Sequence, residues 1–461
     1  MTYTIEKVTT LIGARRYGDR DGNVGFILTD SRSLCFPEET LFFALKSERN
    51  DGHNYIPELY RRGVRNFVVS QVPKGYASDY PEANFLKVVN TLEALQRLAE
   101  RHRDEFNIPI VGITGSNGKT MVKEWLHQLL SPSMFVTRSP RSYNSQIGVP
   151  LSVWLLNEQT QVGVFEAGIS QPGEMLALRD IIQPTIAVLT YLGAAHQENF
   201  ESLEAKCREK IILFHDADTI VYNGDDKTVS GVVNEYKDYK GEKLFWSFRD
   251  TKAPFFVKNV EKKGNLSIIT YIYKGEEDSY SLPFIDEASV TNSIIAAVVS
   301  RRLGLSAEEL DKRMALLEPV AMRLEVKEGQ HGCTLINDSY NSDINSLDIA
   351  LDFMSRRPDH KGRRHTLILS DIFQSGESAK DLYHEVSDLC RKRGVVKFIG
   401  IGPQLCSQSD EIQISEKFFF SNVEEFIDSE VFKSLRDEVI LLKGARQFGF
   451  DQLTELLVRK V

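Results

Sequence analysis

Cysteine is scarce in this sequence and unpaired where it occurs. Cys35, Cys207, Cys333, Cys390 and Cys406 are scattered, odd in number and free of any Cys-x-x-Cys pair, so neither a disulfide framework nor a zinc site is indicated. They read as buried or idle thiols. Long apolar runs are missing as well: none approaches the roughly 20 residues of a membrane span, and the N-terminus mixes charged and polar residues without an apolar signal core. A cytoplasmic chain is expected. Basic charge is not in excess, since 56 Lys and Arg face 65 Asp and Glu, for a net charge of −9. That balance argues against a general nucleic-acid binder but leaves room for a local basic pocket. Neither Gly nor Pro is abundant and no repeat or low-complexity segment occurs, which excludes a disordered or fibrous chain.

What remains is a soluble-type globular composition in a chain of 461 residues, too long for one ordinary core. The pattern divides it in three. Residues 1–105 read as a small α/β unit, with apolar strands at 41–45 and 66–70, helical spacing at 55–62 and a charged helix at 91–105 leading out. Residues 106–318 carry buried-strand candidates at 108–113, 162–165, 186–190 and 219–222 separated by helical stretches, as in a mostly parallel sheet, and 255–282 alternates like antiparallel strands. Residues 319–461 restart the α/β rhythm at 334–336, 366–369, 396–401 and 439–442, a third domain of dinucleotide-fold type.

The clearest motif joins the strand at 108–113 to a helix with Val122, Trp125, Leu126, Leu129 and Leu130 at helical spacing. Between them runs Gly112-Ile113-Thr114-Gly115-Ser116-Asn117-Gly118-Lys119-Thr120. Glycines 115 and 118 let successive N–H groups converge on phosphate oxygens. The helix N-terminus adds partial positive charge, Lys119 a full one, and the Thr120 hydroxyl can ligate Mg²⁺. A nucleoside triphosphate fits, although Ile113 stands where the generic P-loop has glycine.

Gly-x-Thr-Gly-x-x-Gly-Lys-Thr is the form of this loop in the Mur ligases, and the whole chain resembles that family in order. Thr29-Asp30-Ser31-Arg32, Leu41 to Leu45 and Asp51-Gly52-His53 resemble its UDP-binding N-terminal domain. Asn337-Asp338-Ser339-Tyr340-Asn341, the segment around Arg323 and Leu442-Lys443-Gly444-Ala445-Arg446 resemble the branch that adds the terminal dipeptide. The resemblance implies a three-domain architecture with a central P-loop ATPase-type parallel sheet and a C-terminal dinucleotide-fold-like domain. It implies catalytic roles for Lys119, His196 and Lys210, the last carbamylated by CO₂. It implies ATP contacts from Gly115 to Thr120 and from Asn292, Arg323 and Asp338, and Mg²⁺ held by Thr120, Glu166 and His196. Ser31 and Arg32 would meet the UDP end of the substrate, and Asn144, Ser145, Tyr340, Asn341, Lys443 and Arg446 the rest of the substrates. Taken singly, Glu166 reads equally as a solvated strand-end acid, His196 as a surface loop residue, and Lys206, Arg208 and Lys210 as the polar side of an amphipathic helix.

The activity so implied is ATP-dependent ligation of D-alanyl-D-alanine to UDP-N-acetylmuramoyl-tripeptide through an acyl phosphate, in peptidoglycan precursor synthesis. Alternatives are another amide ligase of the superfamily, such as one adding the third residue, or a non-catalytic nucleotide-binding regulator. Several positions depart from the family: Ser145 for a second asparagine, Ala288-Ser289 for a His-Asn pair, Asp343-Ile344 for Asn-Pro, and Ser370 to Gly376 for a Gly-Asp-Met segment. These departures resemble a bacteroidete fusion in which the ligase precedes an alanine racemase, which would make this chain the ligase part of a longer protein.

Overall fold

The computed structural model describes residues 1–459 apart from 49, 194–196, 238, 322, 341, 357–361, 373–377 and 445–447. A short ribbon pairs β1 (Tyr3–Thr4) with β3 (Asn23–Val24). Beside it β2 (Arg15–Tyr17), β4 (Phe26–Leu28), β5 (Thr40–Phe43), β6 (Asn66–Val69) and β7 (Asn84–Lys87) form a sheet of order β2-β7-β6-β5-β4. The expected strands at 41–45 and 66–70 are β5 and β6. Both are buried along their whole length, as suits central strands of a parallel sheet.

The middle of the chain supplies β8 (Ile110–Thr114), β9 (Val136–Arg138), β10 (Val162–Glu166), β11 (Ile186–Leu189), β12 (Thr219–Val221) and β13 (Glu242–Lys243), all parallel in the order β13-β12-β11-β8-β10-β9. The chain starts this sheet at β8 and fills both sides of it, so β8 lies at the point where the winding reverses. Ligands of open α/β sheets bind in the crevice at the carboxyl ends of such strands. Next to this sheet stands another of order β14-β15-β16-β17, comprising β14 (Trp246–Ser247), β15 (Phe255–Lys263), β16 (Leu266–Tyr273) and β17 (Glu276–Leu282), the last three antiparallel as their alternation suggests.

One helix, Glu287–Arg302, joins these two sheets. It is buried nearly all round, from Ser289 to Ser300 apart from Thr291, and a helix without a polar face belongs inside. Its apolar residues share one core with Val122, Trp125 and Leu126 of the helix Lys119–Leu130 and with Tyr271 and Tyr280 of the antiparallel sheet. That packing sets Asn292 beside the glycine-rich loop.

After it come β18 (Glu325–Glu328), β19 (Thr334–Asp338), β20 (Arg364–Ser370), β21 (Lys397–Ile401), β22 (Glu416–Phe420) and β23 (Glu438–Lys443), ordered β18-β19-β23-β20-β21-β22. Five of these are parallel and β18 is an antiparallel edge. Placing β23 between β19 and β20 brings Lys443 level with Asp338. No helix among the described residues is long and apolar enough to cross a membrane.

The N-terminal ribbon is tied to the middle of the chain through His102. This imidazole is buried, its Nδ1 lies 2.8 Å from the Tyr3 hydroxyl and its Nε2 3.0 Å from the Leu156 carbonyl. Both contacts suit a neutral ring, with Nε2–H donating to the carbonyl and Nδ1 accepting from tyrosine. Burial is the main cause holding its pKa down at about 4, against an ordinary 6.5. The unfolded chain therefore binds the extra proton between those two values, and this group's contribution to stability falls as pH drops from 6.5 to about 4 and is constant below. The fall amounts to at most about 3 kcal/mol. Thermal melts across that range should show His102→Gln with a flatter pH dependence than the parent chain; parallel curves would mean that the ring takes its proton while folded.

Candidate nucleotide and ligation site

The loop 114–118 leaves β8 with Gly115 at φ +141° and Gly118 at φ +88°, conformations that side chains rarely adopt. Close approach also demands both glycines. A Cβ at 115 would lie 2.0 Å from Thr190 Oγ1, and one at 118 would lie 2.4 Å from Asn292 Oδ1. The end of β11 braces the turn: Ser116 N donates to the Tyr191 carbonyl at 2.7 Å and Thr190 Oγ1 donates to the Asn117 carbonyl at 2.6 Å. Ser116 Oγ and Gly193 exchange two further hydrogen bonds.

Three lysines converge on this turn. Lys119 Nζ donates to the Gly115 and Ser116 carbonyls at 2.8 and 3.1 Å, Lys210 Nζ to the Gly115 carbonyl at 3.2 Å, and Lys206 Nζ to the Gly193 carbonyl at 2.5 Å. The helix Leu203–Lys210 buries Lys206 and Lys210, whereas Arg208 is exposed and pairs with Glu235 at 2.9 Å. An amphipathic reading of this helix thus holds for Arg208 alone of the three. Burial, then the charges of Lys119 and Lys206, pushes the Lys210 ammonium well below its ordinary pKa. Burial likewise lowers Lys206 to about 8, and it lowers Lys119, which Glu166 opposes.

Glu166 closes β10 and is wholly buried, so it is no solvated strand-end acid. Its Oε2 accepts from Thr120 Oγ1 at 3.2 Å and from Asn144 Nδ2 at 3.4 Å, and Thr120 Oγ1 is also 3.0 Å from Ser142 Oγ. One carboxylate with hydroxyl and amide oxygens beside a phosphate loop is a donor set that fits Mg²⁺, which prefers oxygen and takes most of its remaining ligands from phosphates and water. The carboxylate's other oxygen, Oε1, accepts no hydrogen bond and lies 3.2 Å from the Lys123 ammonium, so Oε2 is the oxygen turned to the loop.

A cavity of about 540 Å³ lies against the loop. It gathers Gly115 to Thr120, Asn144, Ser145, Lys210 and Asn292 from the middle of the chain and Arg323, Asp338, Tyr340 and Lys443 from beyond it. There the Arg323 guanidinium sits 4.2 Å over the Tyr340 ring, and Asp338 and Lys443 form a buried ion pair at 2.7 Å. Ser31 and Arg32 do not line this cavity; Arg32 is exposed and forks onto Asp30 at 2.6 Å. His196, Asn341 and Arg446 lie outside the described residues.

Sequence reasoning missed several members. Asp286, Asp348, Asp352 and Arg393 also line the cavity, with Arg393 bridging the two aspartates of the helix Ile344–Arg356. Lys123, fully buried against Glu166, was legible in principle, since it shares a helical stripe with Leu126 and Leu130 where a lysine is out of place.

Residues 113–300, the part that carries the glycine-rich loop, Glu166, Lys210 and Asn292, match the Mur ligase middle domain. The chain is similar to the UDP-N-acetylmuramoyl-tripeptide–D-alanyl-D-alanine ligase of Bacillus subtilis, at 28% identity over 78% of this chain and 76% of that one. The fold is that of MurF from Acinetobacter baumannii, with a TM-score of 0.84 at 21% identity and 99% of each chain covered. MurF from Thermotoga maritima, solved in complex with ADP, gives 0.77 at 22% identity over 93% of this chain and 96% of that one.

Gly115→Ala should be the most damaging single methyl in the loop, because the added carbon meets Thr190 Oγ1 at 2.0 Å and the backbone is one that alanine resists. The expected cost is roughly 1–3 kcal/mol in stability, with loss of nucleotide affinity beyond what the melt accounts for. Wild-type binding of a fluorescent nucleotide would show that the turn does not need this shape.

Proposed function

We propose that this chain is an ATP-dependent ligase that joins D-alanyl-D-alanine to the terminal carboxylate of UDP-N-acetylmuramoyl-tripeptide in peptidoglycan precursor synthesis. One observation carries the reading: a phosphate loop and a buried lysine line a cavity whose far wall comes from the C-terminal part of the chain, and a buried strand-end carboxylate, Glu166, accepts from Thr120 of that loop. The named relatives act on those substrates, and the Thermotoga maritima neighbour holds ADP. We read residues 1–105 as the domain for the UDP end of the precursor, 106–318 as the ATP domain and 319–461 as the domain for the incoming dipeptide. Ser31 and Arg32 are assigned to the UDP end on the resemblance alone.

The chemistry asks the protein for placement more than for covalent help. The precursor's carboxylate attacks the γ-phosphate, giving an acyl phosphate and ADP, and the dipeptide's amine then displaces phosphate through a tetrahedral intermediate. Lys119 leaves the Gly115 and Ser116 carbonyls to meet phosphate oxygens, while the N–H groups of the loop hold the remainder. Asn292 and Arg323 flank the nucleotide and Asp338 accepts from its ribose. Asn144 and Ser145 face the precursor. Tyr340 and Lys443, with Asn341 and Arg446, are assigned to the dipeptide side. Thr120 and Glu166, together with His196, would hold magnesium, which when bound neutralises charge on the phosphate oxygens. Bringing the two walls of the cavity together also excludes water that would hydrolyse the acyl phosphate.

Lys210 is assigned as the carbamylated lysine. Attack on CO₂ needs a free amine, and burial beside two other lysines favours that form. Carbamylation would place an anion among the neighbouring lysines.

Phosphate release should require both the tripeptide precursor and D-alanyl-D-alanine, measured with the lysine and diaminopimelate precursors in parallel. Slow hydrolysis indifferent to the dipeptide would instead fit a nucleotide-binding regulator. Lys119→Ala should lower turnover by roughly 10²–10³-fold with an unchanged melting curve, and near-normal turnover would reject the site. Depleting CO₂ should reversibly lower the activity of the parent enzyme and leave Lys210→Ala, already impaired, unaffected; equal sensitivity of the two would remove the carbamate.

A further inference from the structure

We propose that Lys123 is a positioning residue that fixes two parts of the site at once: the Glu166 carboxylate and the loop 139–145, which carries Asn144 and Ser145. It lies on the helix Lys119–Leu130, one turn after the lysine of the phosphate loop, and is wholly buried. Its ammonium is 3.2 Å from Glu166 Oε1 and 2.9 Å from Glu124 Oε1, and it donates to the Ser139 carbonyl at 2.9 Å and to the Arg141 carbonyl. The two main-chain carbonyls, at the root of the loop, accept its hydrogen bonds, and the two carboxylate oxygens meet it as ion pairs.

Each contact has a geometric consequence. Glu166 Oε1 accepts no hydrogen bond, so Lys123 holds that oxygen through charge, and Oε2 is left facing Thr120 and Asn144. A carboxylate held at one oxygen only would be free to swing. On the loop, Ser139 Oγ accepts from the Glu166 backbone N–H at 3.2 Å, and Arg141 occupies the left-handed region at φ +50°, which is costly for a residue other than glycine. A single cation therefore ties the loop's first carbonyls to the carboxylate. The outer end is anchored too, since Glu124 pairs with Arg138 at 2.9 Å.

A plain stabilising role does not account for this. Buried ion pairs contribute little net stability compared with well-packed apolar residues, and the neighbouring stripe positions Leu126 and Leu130 are apolar. What the cation supplies is orientation, as partners outside a metal's own ligands commonly do.

The inference rests on the ligase reading, and its test separates the two. In the full-length chain, Lys123→Met should weaken binding of Mn²⁺·ADP, followed by Mn²⁺ paramagnetic resonance, by about tenfold or more. Metal-free ADP should bind as in the parent, because the loop itself is intact. Lys123→Gln, which keeps a donor, stands in if the methionine variant does not fold. In a second arm, Glu166→Gln is compared with the double variant Lys123→Met/Glu166→Gln, where both members of the buried pair are gone and no charge is stranded. Calorimetry without metal or nucleotide should show the muramoyl precursor bound about tenfold more weakly by the double variant. Wild-type Mn²⁺·ADP affinity in the Lys123 variants, or equal precursor binding in the second pair, would overturn the proposal. If Glu166→Gln and the parent both ignore the precursor, the substrate assignment fails, and the Mn²⁺·ADP arm still decides the role of Lys123.

Discussion

The structure turns on a concentration of buried lysines at the mouth of one parallel sheet. Lys119 and Lys210 direct their amino groups at main-chain carbonyls of Gly115 and Ser116, and Lys206 is buried beside them. Carbonyl dipoles solvate a cation but do not neutralise it, and burial lowers the pKa of all three. Such an arrangement is costly in the empty protein and is relieved by an anion. A triphosphate tail supplies one, and a carbamate on Lys210 would supply another from within. The chain's overall negative charge hides this, which is why net charge excluded a nucleic-acid surface without excluding a phosphate pocket.

Position in the sheet explains why that charge can be concentrated there. Strands β8, β10 and β11 are neighbours, so their carboxyl ends deliver the glycine-rich turn, Glu166 and Thr190 to one crevice. Each contributes something different: donors from the backbone, a fixed anion, and a hydroxyl that braces the turn. The helix Glu287–Arg302, driven inward by its apolar surface, completes the crevice by setting Asn292 against Gly118. Hydrophobic burial away from the crevice therefore determines how close Asn292 stands to the glycine-rich loop.

Much of this was legible in the sequence, for physical reasons that also mark where legibility stops. Backbone-built features read well. The loop needs glycine at 115 and 118 whatever surrounds it, and buried parallel strands announce themselves as apolar runs, so β8, β10, β11 and β12 stand within a residue or two of expectation. Features assembled from distant side chains did not. Lys123 is out of place in its apolar stripe, but what it meets is hidden until β10 places Glu166 beside it, and His102 looks like a solvent residue of a charged helix until Tyr3 and Leu156 enclose it. β9 (Val136–Arg138) and β22 (Glu416–Phe420) are only partly buried and lack the apolar run that marks the central strands.

The cavity's two ends answer to different constraints, and the departures from the family fall accordingly. At the glycine-rich end the cavity is walled by the main chain of the loop and by lysines on rigid elements, so side-chain drift is tolerated poorly and the motif is intact. At the far end the expected His-Asn pair is replaced by Ala288 and Ser289. The wall there includes Asp286, whose Oδ1 caps the helix Glu287–Arg302 through Ser289 N at 2.8 Å while its Oδ2 has no hydrogen-bond partner. A methyl and a hydroxyl enclose less than the pair they replace. The Arg323–Tyr340 stack and the Asp348–Arg393–Asp352 bridge come to the same cavity from the C-terminal part of the chain. One wall of the cavity thus comes from the C-terminal part of the chain, and on the ligase reading nucleotide binding and approach of the two walls become more tightly coupled than a pocket confined to one part of the chain would allow.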